Sequence, residues 1–126
     1  MDLNQVTVPS ADVGASVDFY KRLGLLQIVE SPEYARFECP DGDSTFSIHR
    51  VPEVAAQPGV IVYFECDDLN ATVERLERDG IRFDSQPTDQ PWLWREAYVR
   101  DPGGNLLCLY HAGANRRNPP WRLASE

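Results

Sequence analysis

Cysteine is scarce in this 126-residue chain: Cys39, Cys66 and Cys108 are an odd number, and no two stand at CxxC spacing. That excludes a fully paired disulfide framework and argues against a structural zinc knuckle, so a reducing cytoplasm is the expected setting. Long apolar runs are missing too, and no stretch approaches the ~20 residues that a membrane-crossing helix needs. The chain moves straight into a strand pattern without a charged segment, an apolar run and a cleavage site, so no secretory signal is expected. Positive charge is short, with 12 Lys and Arg against 20 Asp and Glu and a net charge of -8. A phosphate backbone or an anionic membrane rewards the opposite sign, which excludes nucleic acid and membrane as expected partners. The acidity suits a neutral or cationic small ligand, and it also serves solubility. Catalytic signatures are absent as well: no GxSxG elbow, no phosphate loop and no HExxH occur, and "DPGGN" is a tight turn.

What is present is an internal repeat. The segment "DVGASVDFYKRLGL", Asp12 to Leu25, lies on "DLNATVERLERDGI", Asp68 to Ile81, without a gap at a displacement of 56 residues. Five of its fourteen positions are identical, and four more exchange Val for Leu, Ser for Thr, Asp for Glu and Leu for Ile. Both segments read as helices. Asp12 and Asp68 can cap the free N-terminal amides, apolar residues recur at Val13, Val17, Tyr20 and at Leu69, Val73, Leu76, and Gly24 and Gly80 can take the left-handed stop. The same displacement lays "QVTV" on "IVYF", so each helix follows a strand, and the chain reads as a duplicated unit.

Each helix is followed by three strand-like pieces: Leu26 to Val29, Tyr34 to Glu38 and Thr45 to Arg50 in the first half, Ile81 to Asp84, Trp94 to Arg100 and Leu106 to Tyr110 in the second. "CPDGD" and "DPGGN" supply turns before the last strand of each half. The expected fold is α+β, two tandem βαβββ units forming a curved mixed-sheet cup with helices outside. One domain over 1–126 holds unit 1 at about 3–50, a Pro-containing linker at 51–59, unit 2 at about 60–111 and a tail at 112–126. In that tail Pro119, Pro120 and Trp121 form a stiff apolar segment beside Arg116, Arg117 and Arg122; the indole is expected to pack on the body or on a partner subunit.

The openings "VPSADVGASVDFYKRLGL" and "VYFECDDLNATVERLERDGI" and the ending "DPGGNLLCLY" resemble the vicinal oxygen chelate superfamily, which includes glyoxalase I, extradiol dioxygenases and bleomycin resistance proteins. The resemblance covers residues 3 to 111. It implies two units that form a cup around a small molecule, commonly completed in a homodimer. It does not imply one activity, because the fold hosts lyases, isomerases, oxygenases and non-catalytic binders.

Strand alternation assigns side chains to that cup. In the first strand, "LNQVTV", Val6 and Val8 point to the core and Gln5 and Thr7 to the cup. In the fourth, Phe46 and Ile48 point inward to the core and Ser47 and His49 away. Val62, Phe64 and Cys66 leave Ile61, Tyr63 and Glu65 on the cup side. Ala97 and Val99 leave Trp94, Glu96 and Tyr98 there, and Leu107 and Leu109 leave Cys108 and Tyr110. Glu96, between two aromatic rings, is the candidate for acid or base work, or else the partner of a rim arginine such as Arg95. Cys108 as a nucleophile is the weaker alternative to an inert core thiol.

The resemblance also implies four metal-ligand positions, which fall here on Gln5, Ser47, Ile61 and Cys108. Only Gln5 is a ligand type suited to a hard divalent ion. A divalent metal would therefore have to recruit Gln5, His49 and Glu65 as an open N/O/O site. Two readings stay open: metal-assisted lyase, isomerase or dioxygenase chemistry, or a metal-free binder of the bleomycin resistance type. The metal-free cup is preferred.

Overall fold

Asp12 and Asp68 start the two helices as their chemistry requires. The Asp12 carboxylate accepts the Ala15 amide at 3.0 Å and that of Asp68 accepts the Ala71 amide at 3.1 Å, each cap being worth about 1 kcal/mol. Helix α1 (Val13–Arg22) and helix α2 (Leu69–Arg78) are both ten residues long. Both stop at a glycine in the left-handed region, Gly24 at φ 101° and Gly80 at φ 90°, a conformation that costs a residue with a Cβ. The computed structural model describes residues 2–54 and 59–124. Part of the expected linker, 55–58, lies outside them.

Two four-stranded sheets of matching order accompany the helices. The first contains β1 (Gln5–Ser10), β2 (Leu26–Ser31), β3 (Tyr34–Glu38) and β4 (Thr45–Arg50), in the order β1-β4-β3-β2. The second contains β5 (Ile61–Glu65), β6 (Thr88–Asp89), β7 (Arg95–Arg100) and β8 (Leu106–His111), in the order β5-β8-β7-β6. In each sheet the unit's first strand lies beside its last, which is the βαβββ repeat expected from the sequence. β1 runs parallel to β4, while β3 is antiparallel to both β4 and β2.

Two strand assignments need correction. The first strand begins at Gln5 and runs to Ser10, two residues later than read from "LNQVTV". Ile81 to Asp84 is not a strand: only a single bridge, Phe83 to Val99, forms there, and the strand paired with β7 is the short β6. The helices and first strands keep the 56-residue displacement, but β7 and β8 start 61 residues after β3 and β4. Five extra residues therefore fall between α2 and β7. That stretch contains Pro87 and Pro91, neither of which has an amide to donate to a ladder.

By its contacts the chain forms two units, Met1–Val60 with Arg100–Leu106, and Ile61–Val99 with Leu107–Glu126. In the first, α1 packs on β2, β3 and β4. Its Tyr20 ring meets Phe46 at 4.5 Å and Phe37 at 6.0 Å between centroids, and Phe37, Phe46 and Ile48 are buried. In the second, α2 buries Leu69, Val73 and Leu76, and β7 and β8 bury Ala97, Val99, Leu107 and Leu109. Among the described residues no helix is long and apolar enough to cross a membrane.

The turn "DPGGN" is part of the first unit's polar interior. Asp101 is buried, its carboxylate accepting the Tyr20 hydroxyl at 2.6 Å and the Asn105 backbone and side-chain amides at 2.8 Å each. Asn105 also donates to the Pro9 carbonyl at 2.8 Å, and a Cβ on Gly103 would stand 2.9 Å from that same oxygen. Burial, with Asp101 adding to it, pushes the Tyr20 phenol well above its ordinary value. Tyr20→Phe should therefore cost about 2 kcal/mol, the worth of a buried hydrogen bond to a charged acceptor. Urea unfolding should show the loss as a lowered midpoint with an unchanged slope.

Candidate functional site

The face of the first sheet opposite α1 is polar. Gln5 is level with Thr45, and Thr7 with Ser47, across the parallel β1 and β4 pair. The Gln5 amide nitrogen donates to Ser47 Oγ at 2.6 Å, to Thr7 Oγ1 at 3.2 Å and to the Val6 carbonyl at 3.1 Å, while the Thr45 hydroxyl donates to its carbonyl oxygen. Ser47 is buried, with its Oγ 2.6 Å from the Tyr34 hydroxyl, and Arg36 Nε donates to Tyr34 Oη at 2.9 Å. The structure thus brings Gln5, Thr7 and Ser47 together. His49 shares their parity but is exposed and level with Pro9, four register positions from Gln5, or about 13 Å along the strand.

The corresponding face of the second sheet is aromatic. Trp94 and Tyr110 stack at 4.7 Å with an interplanar angle of 20°. Tyr63 stands edge-on to both, at 6.0 Å from Trp94 and 5.6 Å from Tyr110. These are the separations that an aromatic quadrupole favours, each worth about 1 kcal/mol beyond burial. Tyr63 keeps 44% of its surface exposed, and Ile61, on the same strand face, 39%. Beneath the rings Cys108 is fully buried and clusters with Tyr110, Ala112, Trp94 and Tyr98. Glu96 is 2% exposed. Its two carboxylate oxygens accept the Trp92 indole N–H at 2.7 Å and the Tyr98 hydroxyl at 3.0 Å. Arg95, its neighbour in sequence, turns instead to Asp89 and Asn70, at 3.0 Å each. Burial and the Tyr63 hydroxyl push the Tyr98 phenol well above its ordinary value, with Cys108 and Glu96 adding to them. Burial likewise raises Tyr110, helped by Glu65.

Two further features position this aromatic face. Leu93, between Trp92 and Trp94, has φ 68°, a left-handed conformation costing a leucine roughly 1 kcal/mol. It closes the turn in which Gln90 donates to the Trp94 carbonyl at 2.8 Å. Glu65 lies apart from Glu96. Its Oε2 accepts the amides of Ala112 at 2.7 Å and Gly113 at 2.9 Å, at the start of a 3-10 turn, Gly113–Asn115, and Arg116 approaches its other oxygen at 3.8 Å. The tail is thereby held beside the rings, and the Trp94 indole donates to the Asn115 carbonyl at 3.3 Å. Trp121 keeps 57% of its surface exposed, so within the chain it packs on the body only in part.

Four members of these faces were not anticipated from the sequence: Tyr34, Arg36, Thr45 and Trp92. The first two were within reach of the alternation rule, because Ala35 and Phe37 are the core residues of "YARFE" and their neighbours must point the other way. Trp92 lies in a turn, where no periodicity applies.

The sequence pattern of the Glyoxalase/Bleomycin resistance protein/Dioxygenase superfamily matches residues 2–109. The chain belongs to that superfamily. A Bacillus subtilis (strain 168) relative, the uncharacterized protein YraH, is 29% identical over 127 residues, spanning 87% of this chain and 98% of its own. The crystal structure of a glyoxalase/bleomycin resistance protein/dioxygenase from Nocardioides matches with a TM-score of 0.77 at 26% identity, over 98% of this chain and 90% of that one. A bleomycin-binding protein complexed with bleomycin matches with a TM-score of 0.72 at 22% identity, over 88% and 98% of the two chains. Within the superfamily architecture, this member has one sheet face built of hydrogen-bonded polar groups and another built of rings.

Burial pushes the Cys108 thiol up to about 12, with the Glu96 carboxylate adding to the shift. At pH 8 its thiolate fraction is far too small for a nucleophile. Iodoacetamide at that pH should leave Cys108 unmodified in the folded protein and alkylate it in urea, as peptide mass spectrometry would read directly. Alkylation of Cys108 in the folded state would restore it as a candidate nucleophile.

Proposed function

We propose that this superfamily member is a non-catalytic, metal-free binder of a flat small molecule, working in the cytoplasm as a homodimer. The observation that carries this reading is the Tyr63, Trp94 and Tyr110 set, a rigid stacked pair with an edge-on ring still open to solvent. Rings held in this way present planar apolar area at little entropic cost, which suits a planar ligand. Glu96 and Trp92 act here as positioning residues. The carboxylate accepts both the Tyr98 hydroxyl and the Trp92 indole N–H, one on each oxygen, and so ties the two rings to one buried group. The bleomycin-binding relative binds bleomycin with the same fold; at 22% identity it speaks for the architecture, and the ligand class here rests on the rings.

The candidate donors do not fit a divalent metal. The Gln5 carbonyl oxygen is engaged by Thr45, and Glu65 Oε2 by two backbone amides. His49 lies four register positions from Gln5. Among the described residues no group of three His, Cys, Asp or Glu side chains converges as a metal site would require.

The homodimer is supported by apolar surface that a small monomer has little reason to expose. Trp92 is 44% exposed, Leu93 49% and Trp121 57%. Sedimentation at micromolar concentration should give twice the chain mass, and a strictly monomeric mass would contradict it. The ligand class is tested with the flat cationic dye proflavine, followed by its fluorescence. Saturable binding is expected, weakened roughly tenfold by Trp94→Ala, about 1.4 kcal/mol, with the fold retained by circular dichroism. Binding that is absent, or indifferent to Trp94, would defeat the reading.

A further inference from the structure

The polar face of the first unit has a direction written into its hydrogen bonds. The Gln5 side-chain nitrogen is fixed by the Val6 carbonyl, an acceptor only, so it must donate to Ser47 Oγ. Ser47 is 0% exposed, and its other hydrogen-bond partner among the described residues is the Tyr34 hydroxyl at 2.6 Å. A buried hydroxyl keeps its hydrogen satisfied, so Ser47 donates to Tyr34 Oη. Arg36 Nε donates to that oxygen as well, at 2.9 Å. With two donors on its lone pairs, the Tyr34 hydroxyl must send its own proton outward, away from Ser47 and Arg36.

The same phenol lies against a guanidinium. Arg36 Cζ is 5.4 Å from the centroid of the Tyr34 ring, and among the described residues no carboxylate is paired with it. Its terminal nitrogens are donors that the bond to Tyr34 does not use. Ser47, donating to the phenol oxygen, and then the Arg36 guanidinium hold Tyr34 below its ordinary value against the opposing effect of burial, and a more acidic phenol is a stronger donor to an anion. The charged or titratable neighbours on this face are His49, level with Tyr34 on β4, and Glu38, two residues beyond Arg36 on β3. Glu38 stands four residues, about 13 Å, along the strand from Tyr34, too far to sit on its oxygen.

We propose that Tyr34 and Arg36 form a binding site for a small carboxylate on this face, the Tyr34 O–H and the Arg36 guanidinium both donating to it. Gln5, Thr45 and Ser47 are positioning residues that aim the phenol. The site adds a ligand group that the aromatic face does not recognise, and it stands on its own observations.

Acetate tests it without involving the aromatic face, because it carries no ring. In full-length protein labelled at arginine Nε and tyrosine Cζ, sodium acetate should produce saturable shifts at Arg36 and Tyr34, measured against sodium chloride at equal ionic strength. Tyr34→Phe and Arg36→Gln should each weaken acetate binding roughly tenfold; both side chains lie outside the core, and the remaining tyrosine signals report intact folding. Ser47→Ala should weaken it less, by loosening the aim of the phenol. Shifts that follow ionic strength alone, or acetate binding unchanged in Tyr34→Phe, would overturn the proposal. Either result would leave the proflavine experiment, and the reading it tests, untouched.

Discussion

A polar side chain placed on a buried stretch of sheet must find partners there or cost the fold about 1–3 kcal/mol. This constraint organises one face of each sheet. Ser47, fully buried on the first sheet, is held between Gln5 and Tyr34; Glu96, almost fully buried on the second, is held between Trp92 and Tyr98. Among the described residues no buried side-chain nitrogen or oxygen lacks a partner. Groups satisfied by one another are fixed in direction, Tyr34 by Ser47 and Arg36 and Tyr98 by Glu96.

The duplication makes the contrast between the faces informative. The 56-residue displacement sets Ile61 and Tyr63 at the positions of Gln5 and Thr7, and the same strand order follows in both units. On one architecture the first unit carries amide and hydroxyl side chains at these positions and the second an aliphatic and an aromatic one. The helices, their aspartate caps and their glycine stops are common to both, because they serve the fold. The strand faces differ in side-chain chemistry while the strand order is kept.

Much of the fold was legible in the sequence, since helix caps, glycine stops and two-residue alternation are local signals. β3 and β4 were read to the residue, and α1 and α2 follow their caps. The second unit's missing strand was not, because Ile81 to Asp84 carries an acceptable strand pattern and only the displaced register reveals that its pairing has moved to Thr88–Asp89. Side-chain parity grouped Ser47 with Gln5, Glu96 with Tyr98 and Cys108 with Tyr110, and the structure brings each of these pairs together. Parity could not say what each would touch. The turn of Glu65 toward the Ala112 and Gly113 amides, of Arg95 toward Asp89, and of Trp92 into the Glu96 carboxylate are tertiary events without periodicity. The distance between Gln5 and His49 was lost for a simpler reason: a shared face was read, but the parallel register that sets them four positions apart is not a sequence signal.

In the proposed reading the polar groups of these faces are committed to one another, with no donor set left for a metal. The most direct test is elemental analysis of protein purified without a histidine tag, followed by calorimetric titration with manganese, nickel and zinc salts. No stoichiometric metal and no saturable heat are expected. One divalent ion per chain, lost on His49→Ala or Gln5→Ala while folding is retained, would contradict it.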